Sequence, residues 1–201
     1  MNKYKHMKLP ILFTLLLCTT LFTSCMQDKK ETKKNPEQSQ TEITSKPSKK
    51  TLSPHTSTMA MIGDAHIHIN YSSPGVRDRI IFGGLLAYDQ VWQAGAHKAT
   101  WIETNKDLII DGKVLTAGKY GFFTIPSKDE WTIIFNSNWD QHGKDEYDEK
   151  DDVLRFKVKP KEMSETTEHL EYKVVQVNDI EGTITLAWEK VLVSFNFKLK
   201  Q

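Results

Sequence analysis

Cysteine is almost missing from this 201-residue chain: the two present are Cys18 and Cys25, and residues 26–201 hold none. No disulfide can brace the body of the chain and no thiol there can serve as a nucleophile, so a folded domain must stand on its packed core. Helical signals are also missing, since no stretch sustains a 3.6-residue apolar period between recognisable caps. The one long hydrophobic run, residues 9–22, is shorter than the ~20 residues that span a bilayer as a helix. There is no Gly-x-Ser-x-Gly elbow and no spaced Asp-x-Asp-x-Asp-Gly calcium loop. Residues 26–58 lack aromatics altogether.

What is present begins with an address. Lys3, Lys5 and Lys8 precede the apolar run, which closes on Leu21-Phe22-Thr23-Ser24-Cys25. Basic start, short apolar middle and small residues before a cysteine form the signal of a bacterial lipoprotein. Residues 1–24 are therefore expected to be removed and Cys25 acylated, which anchors the chain to a membrane. Phe22 departs from the Leu usual three places before the cysteine. An uncleaved anchor, or a secretory signal with a chance cysteine, is the alternative. Met26 and Gln27 follow the cysteine instead of the Asp that retains lipoproteins in the inner membrane, so the expectation is the outer membrane of the cell envelope, with the side it faces left open.

Residues 25–58 read as a disordered linker, rich in Lys, Thr, Ser, Pro, Gln and Glu and too polar to offset its ordering entropy. As a flexible coil it reaches roughly 30 Å. The overall balance, 27 basic against 26 acidic residues, conceals an asymmetry. Residues 26–58 carry seven lysines and four acids, whereas 59–201 carry 17 basic and 22 acidic residues. An exported, acidic domain argues against nucleic acid as a partner.

Residues 59–201 read as a single all-β domain. Leu154, Phe156 and Val158 alternate with Arg155, Lys157 and Lys159, as do Ile184, Leu186 and Trp188 with threonines. In the last segment Val191, Val193, Phe195, Phe197 and Leu199 are expected to face inward. Asp111-Gly112 between Leu108-Ile109-Ile110 and Val114-Leu115 marks a tight hairpin, because both turn positions need positive φ. Residues 118–125, 131–135, 65–71, 79–82 and 99–104 complete eight to ten short antiparallel strands, a sandwich or barrel-like fold. The last three are expected to form a meander, and a short helix is placed between Asn138 and Asp151.

Several motifs in fixed order carry a family resemblance: Tyr71-Ser72-Ser73-Pro74, Phe82-Gly83-Gly84-Leu85, Val91-Trp92, Leu115-Thr116-Ala117-Gly118-Lys119-Tyr120-Gly121, Trp131-Thr132-Ile133-Ile134-Phe135-Asn136 and Trp188-Glu189. The chain resembles the family called domain of unknown function 2911 over nearly all of 60–199. The resemblance implies an exported or envelope-associated bacterial domain with no established activity. This chain departs from the family pattern at Ser73, Arg77-Asp78, Gln93 and Gly95-Ala96-His97-Lys98.

The candidate site residues follow from chemistry and from those departures. A ligand pocket is expected from Tyr71, Ser73, Arg77, Arg79, Trp92, Gln93, His97 and Glu103. Trp92 and Trp139, near strand ends, are candidates for an exposed stacking platform, while Trp131 and Trp188 read as core. His66 and His68, two apart on a strand, share a face and can share a metal, with Asp64 and His97 as further ligands. Set against this, Ile67 and Ile69 at the core would leave both histidines simply facing water. The acids of 145–152 read as a solvated loop. The leading expectation is a non-catalytic module with no cofactor, binding a small molecule, glycan or envelope protein. The alternatives are a metal-dependent hydrolase using His66 and His68 with a divalent cation, and a purely structural envelope protein.

Overall fold

The computed structural model of the chain describes residues 51–201. The expected signal peptide, Cys25 and most of the linker lie outside the described residues. Ten strands follow one another: β1 (His55–Ile62), β2 (Ala65–Ser72), β3 (Thr100–Thr104), β4 (Leu108–Ile110), β5 (Lys113–Leu115), β6 (Gly118–Ile125), β7 (Trp131–Asn136), β8 (Asp152–Val158), β9 (Lys161–Asn178) and β10 (Glu181–Leu199). Six of them form one sheet in the order β1-β2-β3-β6-β7-β8, and four form a second in the order β5-β4-β10-β9. Every pairing is antiparallel, and the sheets pack as a sandwich without closing into a barrel.

The inner faces share one core. Ile67, Ile69, Ile102, Phe122, Phe135 and Phe156 of the larger sheet join Leu170, Tyr172, Ile184, Leu186, Trp188 and Phe195 of the smaller. Phe122 meets Tyr172 edge-on at 6.0 Å and stacks on Phe195 at 6.2 Å, so the two layers interlock through aromatic rings. Each such pair is worth about 0.5–1.5 kcal/mol beyond its buried area.

Some expectations are corrected by this arrangement. The domain starts before residue 59, because β1 takes in His55 to Thr58. Its threonines are half-buried and its His55 and Ser57 exposed, an alternation without apolar residues that reads like linker. Residues 79–82 form no strand: Ile81 and Phe82 are buried in a loop that caps the core, where Phe82 lies 4.9 Å from Trp131 and 6.0 Å from Trp188. The helix expected between Asn138 and Asp151 shrinks to a 3-10 turn, Glu149–Asp151, capped by the Asp148 side chain. The meander is replaced by a change of sheet, since β8 pairs with β7 whereas β9 and β10 pair with each other.

The two terminal strands read from the sequence are one 19-residue strand, β10, interrupted by a bulge. Inward positions are even-numbered up to Trp188 and odd-numbered from Val193, and an unbroken strand could not do that. Glu189, held at φ 55, supplies the irregular residue that resets the alternation. Val191, beside the bulge, is only partly buried. At the other turn predicted from sequence, Asp111 and Gly112 both have positive φ, 52° and 72°, and join β4 to β5 as expected.

Candidate functional site

The outer face of the larger sheet is covered at one end and open at the other. Over β6 and β7 it carries a small apolar cluster of Phe123 and Ile134 under Ala99, Val91 and Tyr147. The acidic loop anchors that cover. Asp152, whose side chain is 4% exposed, accepts from the Tyr147 hydroxyl at 2.9 Å, Arg155 at 3.1 Å and Asn136 at 2.8 Å. The other five acids, Asp145, Glu146, Asp148, Glu149 and Asp151, are exposed as expected, and burial together with the bond to Asp152 pushes the Tyr147 phenol well above its ordinary pKa.

Over β1, β2 and β3 the same face is open, and side-chain alternation populates it with His66, His68, Asn70, Trp101 and Glu103 while Ile67, Ile69 and Ile102 point to the core. Register then sets the rows. His68 lies opposite Glu103, and Glu103 opposite Lys119 of β6. On the other side of β2, His68 lies opposite Met59 and His66 opposite Met61.

Lys119 is the centre of the most developed contact on this face. Its Nζ is 3.6 Å from the centroid of Trp101 and 3.8 Å from that of Trp139, held between two indoles that meet edge-on. Trp139 reaches this position because the Asn138–Trp139 backbone crosses directly over Gly121, where any Cβ would collide with the Asn138 carbonyl oxygen. His68 adds its ring at 4.9 Å from Trp101, also edge-on. Burial, then the charge of His66, hold the His68 imidazole below its ordinary pKa against the opposing pull of Glu103.

The pocket expected from eight residues is not assembled. Tyr71 and Ser73 line a groove of about 480 Å³ with Pro54, His169 and Leu170. Their polar atoms are already engaged: the Ser73 hydroxyl donates to the Leu170 carbonyl at 2.7 Å, and the Tyr172 amide donates to the Tyr71 hydroxyl at 3.3 Å. Arg77 takes a left-handed φ of 50° and its amide donates to Glu168. Arg79 folds back on its own loop, donating to the Val76 and Gly75 carbonyls at 3.0 and 2.7 Å. Trp92 is buried, stacked on Trp188 at 5.7 Å with its Nε1 donating to the Gly95 carbonyl, so it is no platform. Gln93 lines a separate cavity of about 270 Å³ with Leu85 and Lys144. His97 sits on a turn at φ 62°. Only Glu103 of the eight reaches the open face.

Glu189 accepts from the Ile81 amide, and Arg155 pairs with Glu149 and Asp152. Asp64 is held by Lys106. Among the described residues no group of three or more His, Cys, Asp or Glu side chains is placed to hold a metal, so His66 and His68 have no third ligand of those types. Lys119, Met59 and Met61 were not singled out from sequence. The signal for the methionines was the symmetry of Met-x-Met and His-x-His about the Gly63-Asp64 turn, legible only once the hairpin register is known.

A family model described as a protein of unknown function (DUF2911) matches residues 53–197, well over half of the chain. No curated protein and no solved structure matches it.

Proposed function

The chain belongs to the DUF2911 family, and from that premise we propose that it is a lipid-anchored envelope module that binds a glycan on the open face of its larger sheet without transforming it. The carrying observation is the Trp101–Lys119–Trp139 stack, two half-buried indoles on the open face of the sheet, bordered by His68 and Glu103. Aromatic faces take the C–H face of a sugar ring, and neighbouring charged and imidazole groups bond its hydroxyls. The hydrolase alternative has no comparable support, because among the described residues its two histidines lack a third ligand of the usual types. The anchor rests on the signal that ends at Cys25.

Two measurements test the reading. Titration of the full chain in detergent with envelope glycan fragments, followed by tryptophan fluorescence, should give a saturable change that Trp101→Ala and Trp139→Ala each weaken at least about tenfold, the scale of a lost 1.4 kcal/mol contact. A fluorescence signal indifferent to both substitutions, or none across the panel, refutes the glycan face. Cys25→Ser should abolish labelling by palmitate and release the protein from membranes; continued labelling refutes the anchor.

A further inference from the structure

Four side chains on the β1–β2 hairpin form a set of which the glycan reading uses only His68. Gly63 and Asp64 make a two-residue turn with Gly63 at φ 56° in the first place, the geometry of a type II′ hairpin, which fixes the register without slippage. That register places Met59 directly across from His68 and Met61 directly across from His66. Directly opposed residues on one face have Cβ atoms about 4.5–5.5 Å apart, within reach of a shared ion for side chains this long. The two imidazoles lie 6.0 Å apart between centroids.

Met59 and Met61 are 58% and 53% exposed, which is unusual for a residue whose thioether gains most from burial. Among the described residues more than half of each stays uncovered, although Ile62 and Ile67 beside them are fully buried. His68 is the converse: its ring lies edge-on to Trp101, and its enclosed Nε2 has no hydrogen-bond partner among the described residues. Such an atom costs roughly 1–3 kcal/mol, a cost that turning the ring toward the methionines would relieve. Asp64 is engaged by Lys106, and Glu103, directly across from His68 on β3, stands on the far side of β2 from both methionines.

We infer that Met59, Met61, His66 and His68 form a binding site for monovalent copper. Thioethers are soft ligands that favour Cu(I) over Zn(II) or Mg(II), and imidazole accepts copper readily. A site with two sulfur and two nitrogen donors discriminates by that chemistry. The hairpin supplies all four from ten consecutive residues, so the site is complete within one supersecondary unit.

The test uses the full chain in detergent, carrying Cys18→Ser and Cys25→Ser so that no thiol competes. Ag(I) serves as a redox-inert stand-in for Cu(I), and anaerobic Cu(I) is measured against a chromophoric chelator. The expected result is one ion per chain with X-ray absorption showing both sulfur and nitrogen neighbours. Met59→Leu with Met61→Leu, a volume-conserving change at exposed positions, should leave the circular dichroism and melting unchanged and weaken binding at least about tenfold. Binding that the leucine pair does not alter, a shell of nitrogen and oxygen alone, or tighter uptake of Zn(II) than of Cu(I) overturns the inference. These outcomes are independent of the glycan titration, which reads Trp101 and Trp139.

Discussion

Ala94 offers the sharpest test of how the sandwich is held. It is fully buried, sits at a left-handed φ of 52°, and its carbonyl oxygen receives two hydroxyls: Thr100 Oγ1 at 2.9 Å and Tyr172 at 2.7 Å. Thr100 belongs to the larger sheet and Tyr172 to the smaller, so one acceptor joins both layers to the loop before β3. A non-glycine residue in that conformation costs about 1–2 kcal/mol, which the two bonds must offset. Tyr172→Phe removes one bond but leaves the carbonyl satisfied by Thr100, so the expected loss is about 1 kcal/mol. Thr100→Val should cost about the same. Together they strand a buried acceptor, which adds the desolvation term of roughly 1–3 kcal/mol. The double variant should therefore fall below the sum of the singles by about 1 kcal/mol or more, a coupling that urea melts at unchanged m-value resolve. Additivity within about 0.3 kcal/mol would refute the shared-acceptor account, as would a Tyr172→Phe protein as stable as the parent.

Glycine substitution separates backbone strain from collision. Gly63→Ala and Gly112→Ala both place alanine at positive φ, at 56° and 72°, but a Cβ at Gly112 meets open space whereas one at Gly63 strikes the Asp179 carbonyl oxygen. Gly112→Ala should cost about 1 kcal/mol and Gly63→Ala at least twice that, some 4 °C of extra loss in Tm; equal effects would refute the contact. Stability should also fall on the alkaline side. Burial raises the phenols of Tyr71, Tyr147 and Tyr172 above their ordinary value. The folded state then keeps protons that the unfolded chain releases above about pH 10, so stability is intact below that pH and declines as pH rises past it. Tyr147→Phe should flatten the decline between pH 10 and 12, and a slope unchanged by it would show that Asp152 and burial do not hold that proton.

The sequence was most readable where local chemistry and tertiary role agree. Asp111-Gly112 announces its turn because only certain residues accept two positive φ values, and the alternation in β8 survives into the structure unchanged. It was least readable in β9, where only Leu170 and Tyr172 of 18 residues are buried and the rest resembles solvated chain. Trp92 misled because position near a strand end says nothing about a loop folding over it. The open face was half legible: the shared face of His66 and His68 follows from period two, but the partners brought by register, Met59, Met61 and Lys119, come from strands whose pairing no local pattern encodes.

The place of β10 in its sheet has a consequence for the timing of assembly. It is the last strand in chain order, yet it lies between β4 and β9, and its far end pairs Leu199 with Leu108. The β4–β5 hairpin has no neighbour in its sheet until residues 198–199 have been synthesised, and closing that distance in sequence is slow compared with forming the β9–β10 hairpin. A growing chain thus stays without its second layer until almost all of it exists, a property that keeps it threadable for as long as it is being made. A chain ending before Val191 should remain protease-sensitive throughout; resistance of the larger sheet alone would show that the first layer closes without waiting.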